Sequence, residues 1–254
     1  MSARQPLSGE QIAHLRTFDT PTICNVIELF ASRPQTDGYT DHRITACFSK
    51  MAPMVGYAFT ATFRSAAPPR GGAESVSFQQ QMEALSRGPQ PPVVVFGDLD
   101  DPPKSATFGE VVCTIYKTFG AVGLITSGAG RDLDQVEAID FPVFAGGTIC
   151  SHGYPQIIDH SVPVSVGGLT ILPGDLIHAD RNGITTIPAE IAHDLGDYCQ
   201  KFVDAEQVIL GYLQTTKSPD AAELGRRCDQ MKTVIEELKG RARRHAADRG
   251  SEIS

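Results

Sequence analysis

The chain has 254 residues, 41% apolar and 20% charged, with 24 glycines and 17 prolines, a composition that excludes a disordered or fibrous protein and suffices for one sizeable core. Its formal net charge of -8 argues against a general nucleic-acid binder, because phosphate affinity comes from clustered Lys and Arg; the basic stretch Arg241, Arg243, Arg244 and Arg249 reads as a solvated helix end. Six scattered cysteines without a C-x-x-C pair and a start lacking an apolar run predict a cytoplasmic protein with reduced thiols, and the absence of about 18 consecutive apolar residues excludes a helical membrane span.

In chain order, Ser8 to Phe30 reads as helices interrupted at Thr20-Pro21, with Asp19 and Thr20 able to cap and Pro21 suited to a first turn. Tyr57 to Phe63 predicts a strand, Pro68-Pro69-Arg70-Gly71-Gly72 a break, and Ser75 to Leu85 a helix closed by Arg87-Gly88-Pro89. Val93 to Phe96 and Ala121 to Thr126 are short β-branched runs on either side of a helical pattern from Gly109 to Phe119. That is a βαβ unit, whose strands lie parallel and whose following loops open on one edge of the sheet, where α/β proteins bind ligands.

Asp132 to Ile139 predicts a short helix and Pro142 to Ala145 another strand. Val162 to Ile171, Leu176 to Ala179 and Ile184 to Ile187 then read as short strands broken by the turn residues Pro173-Gly174-Asp175 and Arg181-Asn182-Gly183. The chain turns helical from Ala189 to Leu213, and a last helix starts at Ser218-Pro219. Leu224, Cys228, Met231, Val234, Ile235 and Leu238 form an apolar stripe on it, to be covered either by its own domain or by a neighbouring subunit. The expected organisation is one α/β catalytic domain over residues 1–213 and a helical extension over residues 214–254.

Two loops carry the candidate chemistry. Phe108-Gly109-Glu110-Val111-Val112 leads into a helix whose unpaired N–H groups suit a carboxylate or a developing oxyanion. Ser127-Gly128-Ala129-Gly130-Arg131-Asp132 follows the next strand and opens on the same edge. Glu110 and Asp132 bring two carboxylates able to hold a hard cation such as Mg²⁺, and Arg131 brings a guanidinium fork for a substrate carboxylate. Taken singly, each residue also has an ordinary reading: an acid in a helix's first turn, or an arginine in a salt bridge.

Glu110, twenty intervening residues and then Arg131-Asp132 resembles the acid, twenty-residue spacer and Arg-Asp pattern of the RraA-like class II pyruvate aldolases, which include 4-hydroxy-4-methyl-2-oxoglutarate aldolase and oxaloacetate decarboxylases. Gly120-Ala121-Val122-Gly123, Phe141-Pro142-Val143-Phe144-Ala145, Val162-Pro163-Val164 and Pro173-Gly174-Asp175 with Asp180 and Gly183 are similar to the rest of that pattern, as is Thr20-Pro21-Thr22-Ile23-Cys24-Asn25. The resemblance covers roughly residues 10 to 200. Ser127 stands where the family commonly carries aspartate, the stretch from Ser65 to Pro92 departs from the pattern, and the C-terminal helix is an extension.

The resemblance implies an α/β fold of the phosphohistidine-domain-like swivelling β/β/α type with a C-terminal helical extension, assembled as a homotrimer or homohexamer. It also implies a divalent-metal-dependent carbon-carbon lyase, using Mg²⁺ or Mn²⁺, that cleaves or decarboxylates a small 2-oxo acid through a pyruvate enolate. In that reading Arg131 and Glu110 are catalytic. Gly109, Glu110, Val111, Val112 and Arg131 bind substrate, and Asp132 with Glu110 positions the metal and its waters.

The alternatives are a non-catalytic regulator that binds a ribonuclease, as some members of that family do, and a lyase or hydrolase acting on a different degradation substrate. His152, His160 and His178 lack zinc-site spacing and read as structural or surface residues, with His178 the best placed. Gly128-Ala129-Gly130 lacks the third glycine of a dinucleotide fingerprint, since Leu133 stands there. Asp98, Asp100 and Asp101 form an acidic turn after a strand, close enough to the expected pocket to reach a metal.

Overall fold

The computed structural model describes residues 5–69 and 75–251; Arg70, Gly71 and Gly72 of the expected break lie outside these. The N-terminal part runs α1 (Gly9–Leu15), α2 (Thr20–Phe30), β1 (Thr45–Ala46), β2 (Met54–Arg64), α3 (Phe78–Arg87) and β3 (Pro92–Asp98). The middle runs β4 (Ala106–Phe108), α4 (Glu110–Thr118), β5 (Leu124–Thr126), β6 (Ala129–Gly130), α5 (Leu133–Ala138), β7 (Val143–Ala145) and β8 (Gly147–Thr148). The remainder is β9 (Gln156–His160), β10 (Val164–Val166), β11 (Leu169–Ile171), β12 (Leu176–Asp180), β13 (Gly183–Ile187), α6 (Ala192–Thr215) and α7 (Ala221–Ser251).

Helix starts follow local capping chemistry. The Asp19 carboxylate accepts from Thr22 N–H and Pro21 sits in the first turn, which stops α1 from running into α2. Ser77, rather than Ser75, caps α3 through a reciprocal capping box with Gln80, so this helix begins later than its composition suggests. Val162 to Ile171 is likewise not one strand: Gly167 and Gly168, at φ 52° and 78°, fold it into the β10–β11 hairpin.

The main sheet has the order β1-β7-β5-β3-β2-β12-β13, with β9 also paired to β2. Its centre, β2-β3-β5-β7, is parallel, as the βαβ pattern requires. Period-two alternation sorts the central strands onto two faces. Val94, Phe96, Leu124 and Val143 face α4 and the residues packed around it, while Val93, Val95, Ile125 and Phe144 face the β10–β11 hairpin. This gives hairpin, sheet and helix layers, the expected α/β class. A third core joins α1, α2, α6 and α7 to one end of the sheet through Val55, Tyr57, Leu176 and Ile187. Leu238 and Ala242 of α7 are buried in it, so the chain itself covers the C-terminal end of the predicted stripe.

Candidate active site

The two candidate loops meet because three short strands beyond the main sheet pair with one another. β4, β6 and β8 form a small parallel sheet in which Phe108 lies opposite Gly130. Arg131 N–H donates to Phe108 C=O at 3.1 Å, which sets Gly109 and the start of α4 directly against Arg131 and Asp132. Thr107 Oγ1 lies 3.1 Å from Thr126 Oγ1 and 3.0 Å from Ala129 C=O, tying this small sheet back to the end of β5.

Asp132 adopts the left-handed conformation, φ 55° and ψ 41°, which costs a non-glycine residue roughly 1 kcal/mol. The turn directs its carboxylate to the N-terminus of α4, where Glu110 N–H donates to Oδ2 at 3.2 Å. Arg131 Nε lies 3.5 Å from the same oxygen, and both side chains are about one-third exposed, at 34% and 38%. The approach depends on Gly109, since a Cβ there would sit 2.5 Å from Asp132 Oδ2. The backbone is extended at that point, so the requirement is for space and not for a special φ.

A cavity of about 510 Å³ opens beside this junction. Gly109, Val111, Val112, Arg131 and Asp132 all lie on its wall. Glu110 does not: its backbone joins the junction, but its exposed side chain is outside the cavity wall. The Val111 and Val112 N–H groups have no protein acceptor among the described residues, so the first turn of α4 keeps free donors beside the cavity. Among the described residues no group of three or more His, Cys, Asp or Glu side chains converges as a metal cage.

The inner walls were not legible in the sequence. Phe63, Phe96, Phe108 and Tyr116 form a buried aromatic floor, and the Tyr116 hydroxyl donates to Gln81 Oε1, itself buried. Burial pushes the Tyr116 hydroxyl far above the usual phenol range. Helical spacing puts Val112 and Tyr116 on one face, and that was the available signal. Cys113 packs in the core behind them with its thiol pushed up to about 12 by burial, the behaviour of an inert structural cysteine.

Asp98 ends β3 close to this region but is not on the cavity wall. His178 lies elsewhere, fully buried between Thr20 and Leu15. Exposed His152 is on the cavity wall, and half-buried His160 is not. Gly128-Ala129-Gly130 serves as the approach to β6, with Gly130 packed against the Phe108 ring.

A family model described as RraA-like (Aldolase/RraA) matches residues 20–186. A protein of Halalkalibacterium halodurans named "Putative 4-hydroxy-4-methyl-2-oxoglutarate aldolase" is 42% identical over 84 residues, 33% of this chain and 40% of that protein, so the chain spans less than half of that relative. Two solved structures share the fold. Streptomyces coelicolor RraAS2, described as an unusual member of the RNase ES inhibitor RraA protein family, has 22% identity and a TM-score of 0.62 over 84% of this chain and 100% of its own. An uncharacterized protein from Pseudomonas syringae pv. tomato has 19% identity and a TM-score of 0.68 over 89% of this chain and 98% of its own.

Proposed function

Because the chain belongs to the RraA-like family, we propose that it is a divalent-metal-dependent carbon-carbon lyase acting on a 2-oxo acid through a pyruvate enolate. The observation that carries this reading is the convergence of Arg131, Asp132 and the free N–H groups at the start of α4 on one cavity. A guanidinium, a carboxylate and open helix donors around one cavity suit a small anionic substrate better than a protein partner. The partial match to a protein named as an aldolase points the same way.

The residues fit a hard, largely hydrated cation. Asp132 Oδ2 is engaged by Glu110 N–H and Arg131, while Oδ1 has no hydrogen bond among the described residues and belongs to a side chain on the cavity wall. Mg²⁺ and Mn²⁺ need few protein ligands, and Asp132 would hold the ion with waters at its other positions, while Glu110 contributes through its backbone N–H, which orients the Asp132 carboxylate. When bound, the ion supplies a Lewis acid that polarises the 2-oxo group.

The chain's own groups do the rest. The Val111 and Val112 N–H groups receive the substrate carboxylate at the positive end of α4. Arg131 faces the C2 oxygen, where negative charge develops as the C3–C4 electron pair moves into the enolate. The proton of the C4 hydroxyl passes to water, an aldehyde or ketone departs, and C3 is then reprotonated to give pyruvate. Loss of the C4 carboxylate of oxaloacetate as CO₂ leaves the same enolate.

Pyruvate release from oxaloacetate and from 4-hydroxy-2-oxo acids, with and without chelator, tests the proposal. Turnover is expected to need the metal and to fall about 1,000-fold or more in Arg131→Ala, with little change in melting temperature because this side chain is part-exposed. Undiminished kcat in Arg131→Ala rejects the assigned role.

A further inference from the structure

We propose that the substrate of this site is a 2-oxo acid with a single carboxylate and an aromatic arm, the ring lying in the apolar part of the cavity remote from Arg131; the inference rests on the lyase reading above. The volume, about 510 Å³, is in the class that encloses drug-sized ligands, roughly 300–1,000 Å³. A three-carbon 2-oxo acid head held at Arg131 leaves most of it empty.

The charge on the walls is one-sided. Among the described residues Arg131 is the single Lys or Arg that lines the cavity. Once it and the start of α4 have taken the 2-oxo acid head, a second carboxylate on the substrate would find, among the described residues lining the rest of the cavity, no further Lys or Arg, only exposed His152 and neutral side chains. Burying an unpaired carboxylate is strongly unfavourable. The small dicarboxylic 2-oxo acids are therefore poor fits beyond their reacting end.

Phe63, Phe96 and Tyr116 back the cavity at only 3%, 2% and 0% exposure, so the apolar surface open to a ligand is chiefly that of Phe78 and Val111. Phe96 lies between Phe63, at a ring-centroid distance of 6.3 Å, and Tyr116, at 5.9 Å and 67° in an edge-on arrangement. These rings line the cavity, and at its border the apolar side chains of Phe78 and Val111 stand 47% and 70% exposed. Exposed apolar groups beside an apolar floor mark a surface shaped for an apolar ligand. The open Phe78 ring favours another ring over an alkyl chain, because aromatic pairs gain beyond their buried area. Val76, Phe78 and Gln81 come from the Ser65 to Pro92 stretch, the part of the sequence that departs from the family pattern.

The reaction follows from the arm. A 4-hydroxy-2-oxo-4-phenylbutanoate loses its C4 hydroxyl proton, the C3–C4 bond breaks with its electron pair passing to the C2–C3 enolate, and the carbonyl fragment leaves as benzaldehyde. Protonation at C3 yields pyruvate, so no oxidant or second substrate is required.

Calorimetry with the full chain in Mg²⁺, using phenylpyruvate, pyruvate and oxaloacetate as probes, is run beside turnover of 4-hydroxy-2-oxo-4-phenylbutanoate and oxaloacetate. Burying one phenyl ring is worth roughly ten- to a hundredfold in affinity, so phenylpyruvate is expected to bind at least tenfold tighter than either small acid. Ile157→Trp, which fills the cavity from β9, is expected to reduce that ratio at least tenfold; Val76→Phe, on the segment whose Val76 N–H donates to Ile157 C=O, does the same and serves if the first variant does not fold. Phenylpyruvate binding no tighter than pyruvate overturns the inference whatever the turnover assay gives. Tight phenylpyruvate binding without turnover of any 2-oxo acid upholds the ligand class and rejects the lyase reading alone.

Discussion

Asp98 shows how a single carboxylate can be placed against its own ionisation. Its backbone N–H donates to Ser127 Oγ and its Oδ1 accepts from Asp100 N–H, but Oδ2 is buried with no partner among the described residues, close to Gly128. Burial raises its pKa to about 6 from the ordinary 3.8, the Asp100 N–H opposes the shift, and the Asp100 charge adds to it. The folded form therefore holds a proton that the unfolded chain has lost, so this group's contribution to stability falls as pH rises from about 4 to about 6. Asp98→Asn is expected to remove that slope and, allowing for solvent screening, to stabilise the fold by about 1 kcal/mol at pH 7. Urea unfolding of both proteins between pH 4 and 7 reads it directly. In the sequence Asp98 belonged to an acidic turn, because nothing local reports that one of its oxygens is shut away.

His178 on β12 makes the corresponding point for an element. Its Nε2 lies 3.2 Å from Leu15 C=O and its Nδ1 3.0 Å from Thr20 Oγ1. The carbonyl can only accept, so Nε2 carries the proton and Nδ1 accepts from the threonine. This one ring ties the corner between α1 and α2 to the sheet, and burial lowers its pKa from the ordinary 6.5. It stays neutral when folded and gains a proton on unfolding, so its contribution is complete above about 6.5 and is lost as pH falls below that value. His178→Ala is expected to cost roughly 2–4 kcal/mol by leaving a cavity and orphaning the buried Thr20 hydroxyl, while Leu15 C=O keeps the Phe18 N–H. A chemical-denaturation midpoint that moves by less than a quarter of that would contradict the role.

Elements differ in how plainly the sequence announces them. The pair β3 and β5 was readable because Val93 to Phe96 and Leu124 to Thr126 are β-branched and buried on both faces, and the helix between them has its own period. The sheet of β4, β6 and β8 was not, since Ala129-Gly130 and Gly147-Thr148 are two-residue strands of small residues without a pattern. Yet that sheet joins the loops of the site. Glu110 was ambiguous for a related reason: a first-turn side chain can lie on either side of the helix, and here only its backbone meets Asp132. The Arg131-Asp132 pair was legible by motif, whereas the aromatic floor is assembled from β2, β3, β4 and α4 and exists only after folding.

On the scale of the whole molecule, the last helix is fastened to the core near its middle, at Leu238 and Ala242. Leu238 is 4% exposed among α2 and α6 residues, whereas Val234, one turn earlier, is 38% exposed. Leu238→Ala is expected to cost roughly 2–4 kcal/mol and Val234→Ala less than about 0.5, a contrast that thermal melts of the two variants resolve. Equal effects would mean that α7 is held evenly along its length. We propose the division at residues 213 and 214 as one of sequence origin, with residues 214–254 extending a core that α1 and α2 already share.

The eleven-residue β2 is bordered by β3 on one side and by β12 and β9 on the other. During synthesis β3 emerges soon after β2, but the other border is delivered much later, first by β9, with Gln156 pairing back to Arg64, and then by β12, with Leu176 to Ala179 pairing back to Tyr57 to Met54. Until then a nascent chain presents an unmatched ribbon edge, the kind of surface that recruits wrong partners. Delay of this sort slows assembly, because the closing loop costs entropy before its contacts form, so the beam that carries the finished sheet is also a stretch of the growing polypeptide left open to wrong partners.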